Sequence, residues 1–208
     1  MDHMTPSRGD FVYAPVLFGA YGVIRTLDGL DGTRGPGFAW TAGHLCFVAG
    51  LAFFIRGFVT MRERAGRDRW STAGLWTACA GAFAFAVQFG ADLVTGFLAA
   101  DHEAMSELVS SFQDAPGVTL AFYAVGPALF FIGQLLLVGR LAALRILRWW
   151  APALVLTCSL LPNANKDLIP LGAALLLVAY TPLYLGKGGG AGSGGYPASE
   201  ERTARTSA

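Results

Sequence analysis

Six apolar stretches, separated by short polar loops, occupy most of the 208 residues: 11–27, 37–61, 71–99, 117–139, 149–162 and 168–186. Inside hydrocarbon no water reaches the backbone. Every N–H and C=O must then be satisfied within the chain, by a helix or a closed barrel. No stretch alternates apolar and polar residues with period two, so a barrel has no support. The chain is therefore expected to be all-α, a polytopic membrane helix bundle with six transmembrane helices. Composition agrees: 54% of residues are hydrophobic and the mean hydropathy is +0.49. Only 14% are charged, against about 25% in an ordinary soluble domain. With a net charge of +1, this excludes a disordered chain, a basic nucleic-acid binder and a disulfide scaffold. The expected partner is the lipid bilayer, with no nucleic acid. Arg dominates the basic residues, with only Lys166 and Lys187 as lysines, a coding bias of GC-rich bacterial genomes.

The basic residues set an expected orientation. Arg62, Arg64, Arg67 and Arg69 lie between stretches two and three, and Arg140, Arg145 and Arg148 between four and five. Arg8, Lys187, Arg202 and Arg205 flank the ends, whereas the opposite loops hold only Arg34 and Lys166. Basic loops stay in the cytoplasm, which places both termini there, N-in and C-in, in the cell membrane. The N-terminus carries Asp2 and Asp10 beside Arg8, and its apolar run contains Pro15; it is expected to be a first span and not a cleaved signal. Residues 1–186 form the transmembrane domain. The polar Gly/Ser-rich remainder, 187–208, is expected to be a disordered cytoplasmic tail. Trp70, Trp149 and Trp150 suit the inner interface and Trp40 the outer one.

Between the third and fourth stretches, Met105, Leu108, Val109 and Phe112 fall at i, i+3, i+4 and i+7. That pattern predicts a short amphipathic surface helix over 101–113, a cover for the outer helix ends. Small residues recur seven apart on the even stretches: Gly43, Gly50 and Gly57; Gly126 and Gly133; Gly172, Ala179 and Gly186. Such a face lets a neighbouring helix approach closely. Phe18-Gly19-Ala20 and Phe89-Gly90-Ala91 match on the odd stretches, which suggests three related hairpins.

Ionisable groups inside spans are costly, so they are the first functional candidates. Asp92 lies on the third stretch with Gln88 four residues before it, on a stripe with Gly81, Phe85 and Thr95. Counted at about 1.5 Å per residue, Asp92, His44 and Tyr123 reach one depth, roughly 10 Å below the outer surface. Arg25 approaches that level. If the faces agree, these residues form one outer-half cluster that binds a hydrogen-bonding or cationic ligand or relays a proton. Alternatively, Asp92 pairs with His44 or Arg25 only to lock helices, and Arg25 snorkels. Arg56 and Arg140, near inner ends, are expected to snorkel, and Gln134 to make an interhelical hydrogen bond. The fifth stretch is short and Pro-interrupted and ends in the polar turn Pro162–Asp167, a pointer to a substrate path.

The leading expectation is a small transport or small-molecule-binding protein with a polar pocket in the outer half of the membrane, lined by Asp92, His44, Tyr123, Gln88 and Arg25. Two alternatives stand beside it. One is a non-catalytic membrane subunit or regulator, whose glycine faces bind a partner helix or a second copy. The other is a membrane-embedded enzyme acting on a lipid or isoprenoid. The balance leans away from an enzyme, because HExxH, GxSxG and Walker patterns are missing. His44 is the only histidine in a span, so bis-His haem is not expected. Cys46, Cys79 and Cys158 are spaced for neither zinc nor disulfides, and the grouping of Asp101, His102, Glu103 and Glu107 matches no standard metal site. No metal and no cofactor is expected.

Overall fold

A computed structural model describes residues 8–30 and 34–186. The tail at 187–208, expected to be disordered, lies outside the described residues. Among those, the chain is wholly helical, with seven α-helices and no strand. They are α1 (Asp10–Asp28), α2 (Phe38–Arg64), α3 (Arg69–Leu98), α4 (His102–Asp114), α5 (Gly126–Ala143), α6 (Ala151–Ala164) and α7 (Ile169–Leu185). A π-helical segment, Thr119–Val125, leads directly into α5, and a short 3-10 turn, Lys166–Leu168, leads into α7.

Helix starts follow local chemistry. Asp68 caps α3 by accepting from the Ser71 amide at 2.8 Å, and Asp101 caps α4 by accepting from the Ala104 amide at 2.9 Å. Each carboxylate satisfies an amide that the helix itself leaves free. The α5 region differs from a plain α-helix over its first seven residues. Pro127 has no N–H to offer the carbonyl of Tyr123, and the turn before it widens to π geometry.

Four helical runs are long and apolar enough to cross a membrane: Phe38–Arg64, Arg69–Leu98, Thr119–Ala143 and Lys166–Leu185. The other two expected spans are weaker. α1 carries Asp10, Arg25 and Asp28 within its 19 residues. α6 has only 14 residues, about 21 Å of helix against a hydrocarbon core of about 30 Å. Large apolar side chains cover the outside of the bundle: Trp76, Phe83 and Phe97 of α3 are each 68–71% exposed. In water such a surface would be an aggregation site; against lipid it is the ordinary exterior.

The glycine spacing marks the contacts inside each hairpin. Gly43, Gly50 and Gly57 of α2 face Ile24, Leu17 and Phe11 of α1. Gly126 and Gly133 of α5 face Ala84 and Ala78 of α3. Gly172 of α7 faces Cys158 of α6. The α3–α5 seam is the tightest: a Cβ on Gly133 would lie 2.2 Å from the Ala78 amide nitrogen, and one on Gly81 would lie 2.1 Å from that of Phe130. These faces are spent on neighbours within the chain, so they do not present a docking stripe to another helix. The odd-helix match is only partial. Phe18 and Phe89 are both buried, but Gly19 packs on Ala173 while Gly90 has open space beside it.

The arginines expected to snorkel are instead anchored. Arg56 donates from Nε to Asp10 at 3.1 Å, and Asp10 is 1% exposed at the start of α1. Arg140 pairs with Asp68, tying the end of α5 to the α2–α3 turn. Burial explains the difference at Asp10, because a carboxylate taken out of water needs a cation that comes to it. Gln134 does make its interhelical bond, donating to the Tyr180 hydroxyl at 2.7 Å between α5 and α7.

Candidate polar cavity

At the end of the bundle opposite the α2–α3 turn, the helices part around a cavity of about 430 Å³. Its walls come from α1, α2, α3, α4, the π-helical segment, α5 and α6, with Ile169 at the start of α7. All five residues singled out in the sequence line it: Arg25, His44, Gln88, Asp92 and Tyr123.

The deep part is built on α2 and α3. His44 and Trp40 are one helical turn apart, so their rings overlie each other, with centroids 4.1 Å apart. The His44 ring bonds through Nδ1 to the Trp40 carbonyl at 2.8 Å. Its Nε2 faces Asp92 Oδ2 at 3.7 Å, with the two side chains 6% and 15% exposed. Trp40 also reaches α3 directly, its indole N–H donating to the Asp92 carbonyl at 3.1 Å. Gly96 makes room for that ring, since a Cβ there would sit 2.7 Å from the indole nitrogen.

Gln88 Oε1 and the Tyr123 hydroxyl are buried without a hydrogen bond. Tyr123 sits on the π-helical segment, near Gln113 of α4 and Asp92. Below them lies an aromatic floor. Phe47 and Phe89 stack in parallel at 3.7 Å, and Phe85 meets Phe47, Phe89 and Phe131 edge-on. Tyr21 closes the α1 side, edge-on to His44 and Phe89.

Arg25 does not join Asp92. It lines the mouth and donates from Nη1 to Asp167 at 2.9 Å, and Arg34 reaches the same carboxylate oxygen at 3.5 Å. The polar turn after α6 therefore folds back onto α1. That turn takes the cation that depth alone had matched to Asp92. α4 lies along the cavity edge: its Val109 and Gln113 contribute to the lining, Met105 is buried, and His102 Nδ1 contacts the Arg34 carbonyl.

Several lining residues were not singled out in the sequence. The sequence suits Trp40 to the outer interface as a belt residue, yet its ring lines the cavity; its i, i+4 spacing to His44 is the signal for that. Tyr21 and Phe89 read as ordinary apolar-face aromatics, and nothing in the sequence distinguishes them from the core. Lys166 and Asn163 belong to the polar turn Pro162–Asp167, and Ser159 lies one helical turn before it on α6. Among the described residues, no three His, Cys, Asp or Glu side chains converge as metal ligands would. No family model, curated protein or solved structure matches this chain, so its functional reading rests on the cavity itself.

Proposed function

We propose that the protein is a six-span membrane protein, with both termini in the cytoplasm, that binds or transports a small molecule through this cavity in the outer half of the bilayer. Support for the topology comes from the charge distribution. The arginine-rich turns α2–α3 and α5–α6 lie at the end away from the cavity, as the positive-inside rule requires for a cytoplasmic face. α1 and α6 would complete the six crossings, the short α6 by local thinning of the bilayer.

The observation that carries the binding reading is the convergence of Asp92, His44, Gln88 and Tyr123 on one recess of about 430 Å³. Two of these residues hold polar atoms without partners. A pocket with an apolar floor and a few convergent polar groups is the usual form of a small-molecule site. Native mass spectrometry of protein released from a mild detergent tests the reading. A retained non-lipid mass that Asp92→Asn loses, with the fold intact by circular dichroism, is the expected result. An empty wild-type protein that also takes up no added solute would overturn it.

The His44–Asp92 couple is equally an acid–base pair, which makes chemistry on a lipid or isoprenoid the second reading. Turnover that survives loss of Asp92 would remove it. The subunit reading has lost its main support, because the glycine faces are consumed within the chain.

A further inference from the structure

The deep end of the cavity has acceptors where a donor is needed. His44 Nδ1 is engaged by the Trp40 carbonyl at 2.8 Å, and a carbonyl only accepts. A hydrogen of that ring therefore sits on Nδ1, and in the Nδ1–H tautomer the lone pair of Nε2 faces Asp92. Oδ2 of Asp92 stands 3.7 Å away, beyond a direct hydrogen bond. In that tautomer two acceptors face each other with a gap between them. A single nitrogen placed about 2.8 Å from each, a normal charge-assisted distance, bridges that gap with two N–H groups.

Among the described residues, none is seen to supply that nitrogen. Among the described residues, no Arg or Lys pairs with Asp92, because Arg25 and Arg34 both pair with Asp167 at the mouth. The buried Gln88 Oε1 adds a further acceptor without a partner. The rings of Trp40, Tyr21 and Phe89 line the same cavity, centred 4.1–5.8 Å from the His44 ring. Aromatic rings lining a site favour a cation. An anion would meet the Asp92 carboxylate at the deep end, whereas the cations of the cavity, Arg25, Arg34 and Lys166, lie at its mouth, where Asp167 holds the two arginines.

We propose that the cavity recognises a small organic cation, an alkyl- or arylammonium whose N–H groups bridge His44 Nε2 and Asp92 Oδ2 while its carbon frame lies on the aromatic floor. This deepens the binding reading above and rests on it.

The test is a charge series at constant shape. 2-Phenylethylamine, 2-phenylethanol and phenylacetate are each titrated into the full-length protein in lipid nanodiscs, followed by calorimetry and thermal unfolding, with protein-free nanodiscs as the partition control. The amine is expected to bind and raise the unfolding temperature, and the alcohol and the acid to do neither. Asp92→Asn should weaken the amine by about tenfold to a hundredfold, the loss of a hydrogen bond to a charged group. Should that variant not fold, the series on the wild type decides alone. Preference for the acid or the alcohol overturns the cation class and leaves a binding pocket standing. Amine binding unchanged in a folded Asp92→Asn protein overturns the proposal, as does binding by none of the three.

Discussion

His44 Nε2 faces Asp92 Oδ2 across 3.7 Å, while Nδ1 of the same ring is held by the Trp40 carbonyl one turn back on α2. Trp40 in turn donates its indole N–H to the Asp92 carbonyl on α3. Three residues on two helices therefore hold one another in register, and Trp40 is the member that positions the other two. Trp40→Phe keeps an aromatic ring but removes the donor and the five-membered half of the indole. It is expected to cost at least about 1 kcal/mol of stability, the net worth of one such hydrogen bond, with the lost packing in addition. Retained-ligand occupancy in native mass spectrometry should fall with it. Unchanged stability and occupancy would show that the indole N–H does not set the register.

Gly96 owes its identity to the same ring. A methyl group there would stand 2.7 Å from the indole nitrogen and 2.8 Å from its neighbouring carbon, and a rigid indole yields only by moving as a whole. Gly96→Ala should displace Trp40 from the Asp92 carbonyl. Tryptophan fluorescence reports this as a red shift relative to wild type. Gly90→Ala, with open space around it, is the matched control and should leave the spectrum alone.

At the α3–α5 seam, backbone meets backbone. Gly133→Ala places a methyl group 2.2 Å from the Ala78 amide nitrogen, which forces the helices apart. Overpacking of this kind costs about 1–3 kcal/mol, and more where backbone must move. Thermal unfolding in detergent is expected to show a fall well beyond that of Gly139→Ala, a position with nothing nearby. Equal behaviour of the two variants would mean that the seam opens without cost.

Between α5 and α7 the buried contact is polar. Tyr180→Phe removes the acceptor for Gln134, whose side chain is 1% exposed and has no water to turn to. The expected cost is about 1–3 kcal/mol, the penalty for an unsatisfied buried donor. Adding Gln134→Leu should recover part of it, since an apolar pair leaves nothing unsatisfied. A double-mutant cycle measures that coupling.

Asp68 brings a pH dependence outside the membrane. The Ser71 amide, assisted by the Arg140 guanidinium, holds its carboxyl below the ordinary 3.8 against a smaller opposing effect of desolvation. A carboxyl depressed in the folded state contributes its stabilisation above the unfolded value and loses it as pH falls through the folded one. The protein should therefore keep this contribution down to about pH 4 and lose it in stronger acid. Asp68→Asn should flatten that part of the stability–pH curve. An unaltered acid limb would place the linkage elsewhere.

Residue positions along the chain settled a good deal. The helix-forming stretches, the amphipathic α4, the Gln134 bridge and the shared depth of His44, Asp92 and Tyr123 were all legible in the sequence. Each follows from a one-dimensional rule: backbone bonds must close within a span, apolar residues repeat with the helical period, and depth grows by a constant rise per residue. The seven-residue glycine spacing likewise marked faces of close approach.

Which faces meet was decided only by the tertiary structure. Arg25 matched Asp92 in depth, yet helix rotation and the fold-back of the α6–α7 turn deliver it to Asp167. Arg56 was free to snorkel until α1 brought the buried Asp10 beside it. Trp40 would suit an interface, and only the small Gly96 across the α2–α3 contact admits its ring to the interior. The physical reason is the same in all three. Depth is set by distance along one helix, whereas partnership depends on the rotation of two helices. That rotation shows only in how the facing helices pack, as where Gly57 of α2 meets Phe11 of α1 and Gly96 of α3 meets Trp40 of α2.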